Sequence, residues 1–116
     1  MARRPLRNYL RTHRKSWALS QKQLAGLLGF RFPTHLSKYE LDQRLPSLRT
    51  ALACEIVFGV PVSVLFEGLR AEVEEDVMRR ANALFEGIEH RTDPAGKRKR
   101  ELLMAMLARV TDQSNP

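Results

Sequence analysis

Between Arg31 and Lys38 the chain reads RFPTHLSK, with Thr34, His35, Ser37 and Lys38 set around a single apolar residue, Leu36. Short hydroxyls, an imidazole and an ammonium at this spacing suit hydrogen bonding to a patterned polar surface. The grooves of a nucleic acid offer such a surface, because base edges carry fixed donors and acceptors beside phosphates. Lys38 or Arg31 can reach guanine O6 and N7, while Thr34, His35 and Ser37 can contact a base or a phosphate. Phe32 either packs its turn against the core or lies out against a thymine methyl. Arg44, and Arg49 beyond it, suit phosphate clamps. Plain solvent exposure is the competing reading for each of these side chains taken alone.

Bond-breaking chemistry has little to stand on. His13, His35 and His90 lie far apart in the sequence, and no H-x-x-x-H, C-x-x-C, G-x-S-x-G or glycine-rich phosphate loop occurs. The chain reads as a non-enzyme with no cofactor and no metal site. Cys54 is the single cysteine, so no intrachain disulfide can form, and its apolar surroundings suit a buried thiol in a reducing cytoplasm. MARRPLRNYL lacks the apolar stretch of a signal peptide, and no apolar run approaches the roughly 18 residues of a membrane span.

Charge distribution points the same way. The chain has 116 residues and a net charge of +7, enough for one compact core with an appendage. Residues 1–49 carry eleven Lys/Arg against two acids, Glu40 and Asp42; residues 50–90 carry three against eight, and residues 91–116 six against three. A basic first part suits a polyanion that the acidic middle would repel.

Caps and periodicity predict helices throughout and no strands. Pro5 suits a first helical position, with Leu6, Tyr9, Leu10 and Trp17 as the apolar stripe. Ser20 and Gln23 form a capping box for a second helix, whose buried stripe is Leu24, Leu27 and Leu28 and which Gly29 ends. A third helix is expected from about Pro33 to Leu41. Ser47 then caps a fourth, with Leu48, Ala51, Leu52, Ile56 and Val57 inward and Gly59 at its end, and Pro61 opens a short fifth around Val62 to Phe66. Leu69, Val73, Val77, Ala81, Leu84 and Ile88 stripe a long helix over 69–90. Asp93 and Pro94 start a last helix over 95–110, beginning with the run Lys97–Arg100, which reads as a solvated face or as a contact for phosphates or an acidic partner.

The second and third helices meet the needs of a helix-turn-helix. Ala25 is small where the two backbones must approach, Leu36 and Tyr39 anchor the third helix, and the polar residues around them are left outward for the major groove. The amide-rich start of the second helix, with Gln21, can grip a phosphate.

LSQKQLAGLLG, LSKYELDQRLPSL and FGVPVSVLF, in this order and at these spacings, resemble the Cro/lambda-repressor-type, or XRE-type, helix-turn-helix family over roughly residues 5–67. The resemblance implies a five-helix domain that binds operator DNA as a dimer, Gln21 on the phosphate backbone, a third helix that reads bases, and a bracing ion pair between Arg14 and Glu40. Two departures stand out. Gly29 to Leu36 spans seven residues where the family has six, which leaves the register of the Phe30–Pro33 turn open, and Asp42 replaces the usual glycine after the third helix. Pro33 suits the first turn of that helix, and Phe30 is expected to pack the enlarged turn.

The chain is therefore expected to be all-α: a lambda-repressor-like DNA-binding domain over residues 1–68, and a helical extension of about two helices over 69–116. The expected function is a sequence-specific, double-stranded-DNA-binding transcriptional repressor, dimeric through residues 69–110. Folding of the extension onto its own domain is the alternative to dimerisation. The rival function is an interaction protein, such as an antitoxin or adaptor, whose extension binds a protein partner.

Overall fold

The computed structural model describes residues 8–114. Among these are seven helices and no strand: α1 (Leu10–Ser16), α2 (Gln21–Leu27), α3 (Thr34–Glu40), α4 (Leu48–Phe58), α5 (Val62–Leu65), α6 (Glu67–Ile88) and α7 (Pro94–Ser114). The protein is all-α, with a five-helix domain followed by a two-helix extension. Two compact units divide within α6, one ending at Ala71 and the other beginning at Glu72.

The core of the first unit is built on leucines from four helices. Leu10, Leu24, Leu36 and Leu65 are fully buried, together with Cys54 of α4. Each buried leucine contributes about 1.5–3 kcal/mol relative to an exposed one. Phe30, Val57 and Leu69 pack half-buried against this cluster, so the start of α6 is held by the first core. Burial raises the Cys54 thiol from its ordinary 9.0 to about 11.

The first three helices end in one backbone motif. Leu19, Phe30 and Gln43 donate their amides to the Arg14, Ala25 and Lys38 carbonyls at 3.1, 2.8 and 2.8 Å, the six-to-one bond of a Schellman ending. The residue before each donor has positive φ: Ala18 at 58°, Gly29 at 86° and Asp42 at 57°. Only Gly29 is a glycine, so α1 and α3 carry backbone strain at their exits that α2 avoids. Asp42 thus takes a left-handed turn, at the position where the resemblance leads a glycine to be expected.

Several sequence expectations are corrected. α1 begins at Leu10, because Asn8 and Tyr9 are engaged elsewhere: Tyr9 donates its amide to the Leu65 carbonyl at 2.7 Å, and the Asn8 carboxamide donates to the Tyr39 carbonyl at 3.0 Å. Pro5 and Leu6 lie outside the described residues. Trp17, just past α1, is exposed, as is Leu27 of α2. The buried face of α4 is Thr50, Ala51 and Cys54, with Val57 half-buried. Leu48, Leu52 and Ile56 are on its outer side, with Ile56 82% exposed. These three lie about 160° from the buried face at roughly 100° per residue. Both stripes recur at helical spacing, so periodicity alone could not choose between them.

In the second unit Asp93 starts α7. Its carboxylate takes hydrogen bonds from the Arg91 guanidinium at 2.6 and 2.9 Å, and these hold it at about 2, below the ordinary 3.8. Gly96 lies beneath this pair, where an added Cβ would fall 2.7 Å from the Arg91 Cβ. Arg100 donates to the carbonyls of Ile88, at 3.0 Å, and Arg91. It therefore closes the carbonyl end of α6, as basic side chains do at helix C-termini. Met78, Ala81 and Phe85 of α6 line an apolar groove with Leu103, Met104 and Leu107 of α7. Among the described residues of this unit only Ile88 and Leu103 are buried hydrophobic side chains. No helix among the described residues is long and apolar enough to cross a membrane.

Candidate nucleic-acid interface

The candidate interface is positioned from beneath by polar bonds and a leucine. Ser20 accepts the Gln23 amide at 3.0 Å while the Gln23 side chain accepts the Ser20 amide at 2.9 Å, which starts α2 with two of its orphan donors satisfied. Ala25, 2% exposed, lies where α2 packs into the core, and Gly29 turns the chain away. Gly29 has nothing within 4 Å of an added Cβ, so its φ, and not crowding, calls for glycine there.

One carboxylate ties α1, α2 and α3 together. Glu40 accepts from Arg14 Nε at 2.6 Å and Nη2 at 3.2 Å, and from the Gln21 carboxamide nitrogen at 3.0 Å. Arg14 Nη1 also donates to the Leu19 carbonyl at 2.9 Å. The two charged side chains are 10% and 2% exposed. A buried pair of this kind costs several kcal/mol when one partner is removed, because the other charge is left desolvated. The sequence marks Gln21 as a phosphate ligand only. Its half-buried amide also serves this network, a bond that only the folded arrangement of the three helices brings about.

Leu36 and Tyr39 anchor α3 in the core. Thr34, His35 and Lys38 are exposed and Ser37 is half-buried, so the helix turns its polar residues away from its anchors. The extra turn residue is absorbed by two aromatic side chains with opposite fates. Phe30 is half-buried, edge-on to His35 with ring centroids 6.1 Å apart and 6.0 Å from Tyr39. Phe32 leaves the core, 64% exposed, with the Arg31 guanidinium 5.6 Å from its ring centre, within cation–π range. The expectation that Phe32 packs against the core therefore fails, because one aromatic ring already fills the turn.

Arg31, Phe32, Thr34 and His35 line one surface groove with Gly29 and Phe30. Ser37 and Lys38 follow on the same helix. Arg44 is exposed in the loop after α3, and Arg49 is exposed in the first turn of α4, where the Ser47 hydroxyl accepts the Thr50 amide at 3.2 Å. Arg49 lines a different depression, with Leu27, Leu52 and Ile56. Sequence reasoning missed this apolar depression because it assigned those leucines and Ile56 to the core. No group of three or more His, Cys, Asp or Glu side chains among the described residues could hold a metal ion.

The arrangement can present hydroxyl, imidazole, ammonium and guanidinium groups from a short, firmly anchored helix. A family model described as helix-turn-helix matches residues 10–65, which span α1 to α5. No curated protein and no solved structure gives a match to the chain.

Proposed function

Residues 10–65 belong to the XRE-type helix-turn-helix family of DNA-binding regulators, and from that premise we propose that the protein is a sequence-specific transcriptional repressor that reads double-stranded DNA with α3 as a dimer. The observation that carries this reading is the division of labour on α3. Leu36, Tyr39 and Glu40 fix the helix, while Thr34 and Lys38 take no part in the core and His35, exposed, touches the rings of Phe30 and Tyr39 at its edge. Such a helix can enter a major groove without any loss of packing.

Lys38 and Arg31 are assigned to guanine O6 and N7, Thr34, His35 and Ser37 to base edges or phosphates, and the exposed ring of Phe32 to a thymine methyl. Arg44 and Arg49 are assigned to phosphates. Gln21 keeps a second N–H for a phosphate, while its first is held by Glu40. Residues 1–68 form the reading domain in this account. Residues 69–110 join two copies, since a single helix-turn-helix makes few base contacts and two are needed for a long site.

Selection of bound sequences from a randomised duplex pool, repeated with Lys38→Ala, tests this function. A two-fold symmetric enriched site is expected, with preference relaxed at one matched position in each half-site of the variant. No enriched site, with only weak salt-sensitive retention, would overturn it in favour of an antitoxin or adaptor whose residues 69–116 bind another protein.

A further inference from the structure

The α6–α7 unit buries little of its own apolar surface. Val73, Val77 and Leu84 of α6 are 49%, 40% and 51% exposed, and they fall within about 40° of one another at roughly 100° per residue. The side chains that face α7 (Met78, Ala81 and Phe85) centre about 90° further round the helix. α6 therefore carries a second apolar stripe that α7 does not cover. Two amphipathic helices with so small a shared core are marginal alone and gain stability when the remaining stripe is buried.

The charges beside this stripe say what covers it. Asp76 and Arg80 flank it on the side away from α7, four positions apart and opposite in sign. Resting on the dimeric reading above, we propose that α6 pairs antiparallel with α6 of a second copy about a two-fold axis level with Met78. In that register Asp76 stands opposite the partner's Arg80, and Arg80 opposite the partner's Asp76. Val73 meets the partner's Leu84, and Val77 lies beside the partner's Val77. Apolar and charged positions match at once, as a surface that meets its own copy requires. A foreign partner would need neither coincidence. Within its own helix Asp76 accepts from Arg79 at 2.6 Å, and a carboxylate has a second oxygen to offer the partner's Arg80.

The test is sedimentation of the full chain, wild type against Asp76→Arg and Arg80→Asp, each alone and then mixed. Each single variant sets like charges opposite each other at both symmetric positions, so self-association weakens about tenfold. The equimolar mixture restores it, because every opposed pair is again opposite in sign. Loss of a purely intrahelical role would not be repaired by mixing. In a second measurement, Val77→Cys oxidises to a disulfide-linked dimer and Glu75→Cys, on the opposite side of α6, does not. A wild-type dimer with no rescue on mixing and no Val77→Cys crosslink overturns the α6 pairing and leaves the dimeric reading standing. A wild-type chain that stays monomeric overturns both.

Discussion

At the scale of single residues, Glu40 carries more of the fold than any base-reading candidate. Glu40→Gln leaves the Arg14 guanidinium buried without its counter-charge, and urea unfolding should show a loss of about 3–5 kcal/mol. Gln21→Ala, which removes one hydrogen bond at the rim of the same network, should cost about 1 kcal/mol. Cys54 makes a separate prediction. Its thiol is held at about 11 against an ordinary 9.0, so the folded state binds the proton more tightly than the unfolded state does. The stability this contributes is complete below pH 9.0 and is lost as pH rises through about 11. Alkylation at pH 8 should accordingly be slow in the native protein and fast in denaturant, because the thiolate is the reactive form. The anchors Ala25, Leu36 and Tyr39 were legible in the sequence because small and apolar residues at helix-crossing spacings leave few other places to go. The hydrogen bond from Gln21 to Glu40 was not legible, because nineteen residues of chain must fold before the two groups meet.

At the scale of elements, the shared ending of α1, α2 and α3 gives opposite expectations for similar substitutions. Ala18→Gly relieves a left-handed alanine and should stabilise by about 0.5–1 kcal/mol, net of glycine's extra unfolded-state freedom. Gly29→Ala introduces the same strain into open space and should destabilise by about 1 kcal/mol; thermal unfolding of the pair checks both signs. The start of α7 depends on acid strength. The Asp93 carboxylate is lowered to about 2 by the Arg91 guanidinium. The stability that follows is present above pH 3.8 and lost as pH falls through about 2, which carboxyl NMR should record together with fraying of α7. Helix number and order could be read in advance from Ser20, Ser47, Asp93 and the glycines. Helix faces could not always be: α4 is apolar around most of its circumference, so Ala51 and Cys54 took the core and Leu48, Leu52 and Ile56 were left outside. Which stripe wins is decided by the small residues that let α4 approach its neighbours, and stripe hydrophobicity alone does not report that.

At the scale of the whole molecule, charge is segregated along the chain, with the excess of Lys and Arg in residues 1–49 and the excess of acids in residues 50–90. DNA affinity should therefore fall steeply with salt. Arg44→Ala and Arg49→Ala should each flatten the slope of log affinity against log salt by about one for each phosphate no longer neutralised, without altering the preferred sequence. Lys38→Ala should alter the preferred sequence. The way α3 is held has one more consequence. Leu36, Tyr39 and Glu40 fix the helix, while Thr34 and Lys38 contribute almost nothing to its stability. On the proposed reading, exchanges at those two positions should retarget the protein over evolutionary time with little penalty in folding. His35 leans on Phe30 and Tyr39 and does not share that freedom, so drift in operator preference should run through its neighbours and leave the imidazole in place.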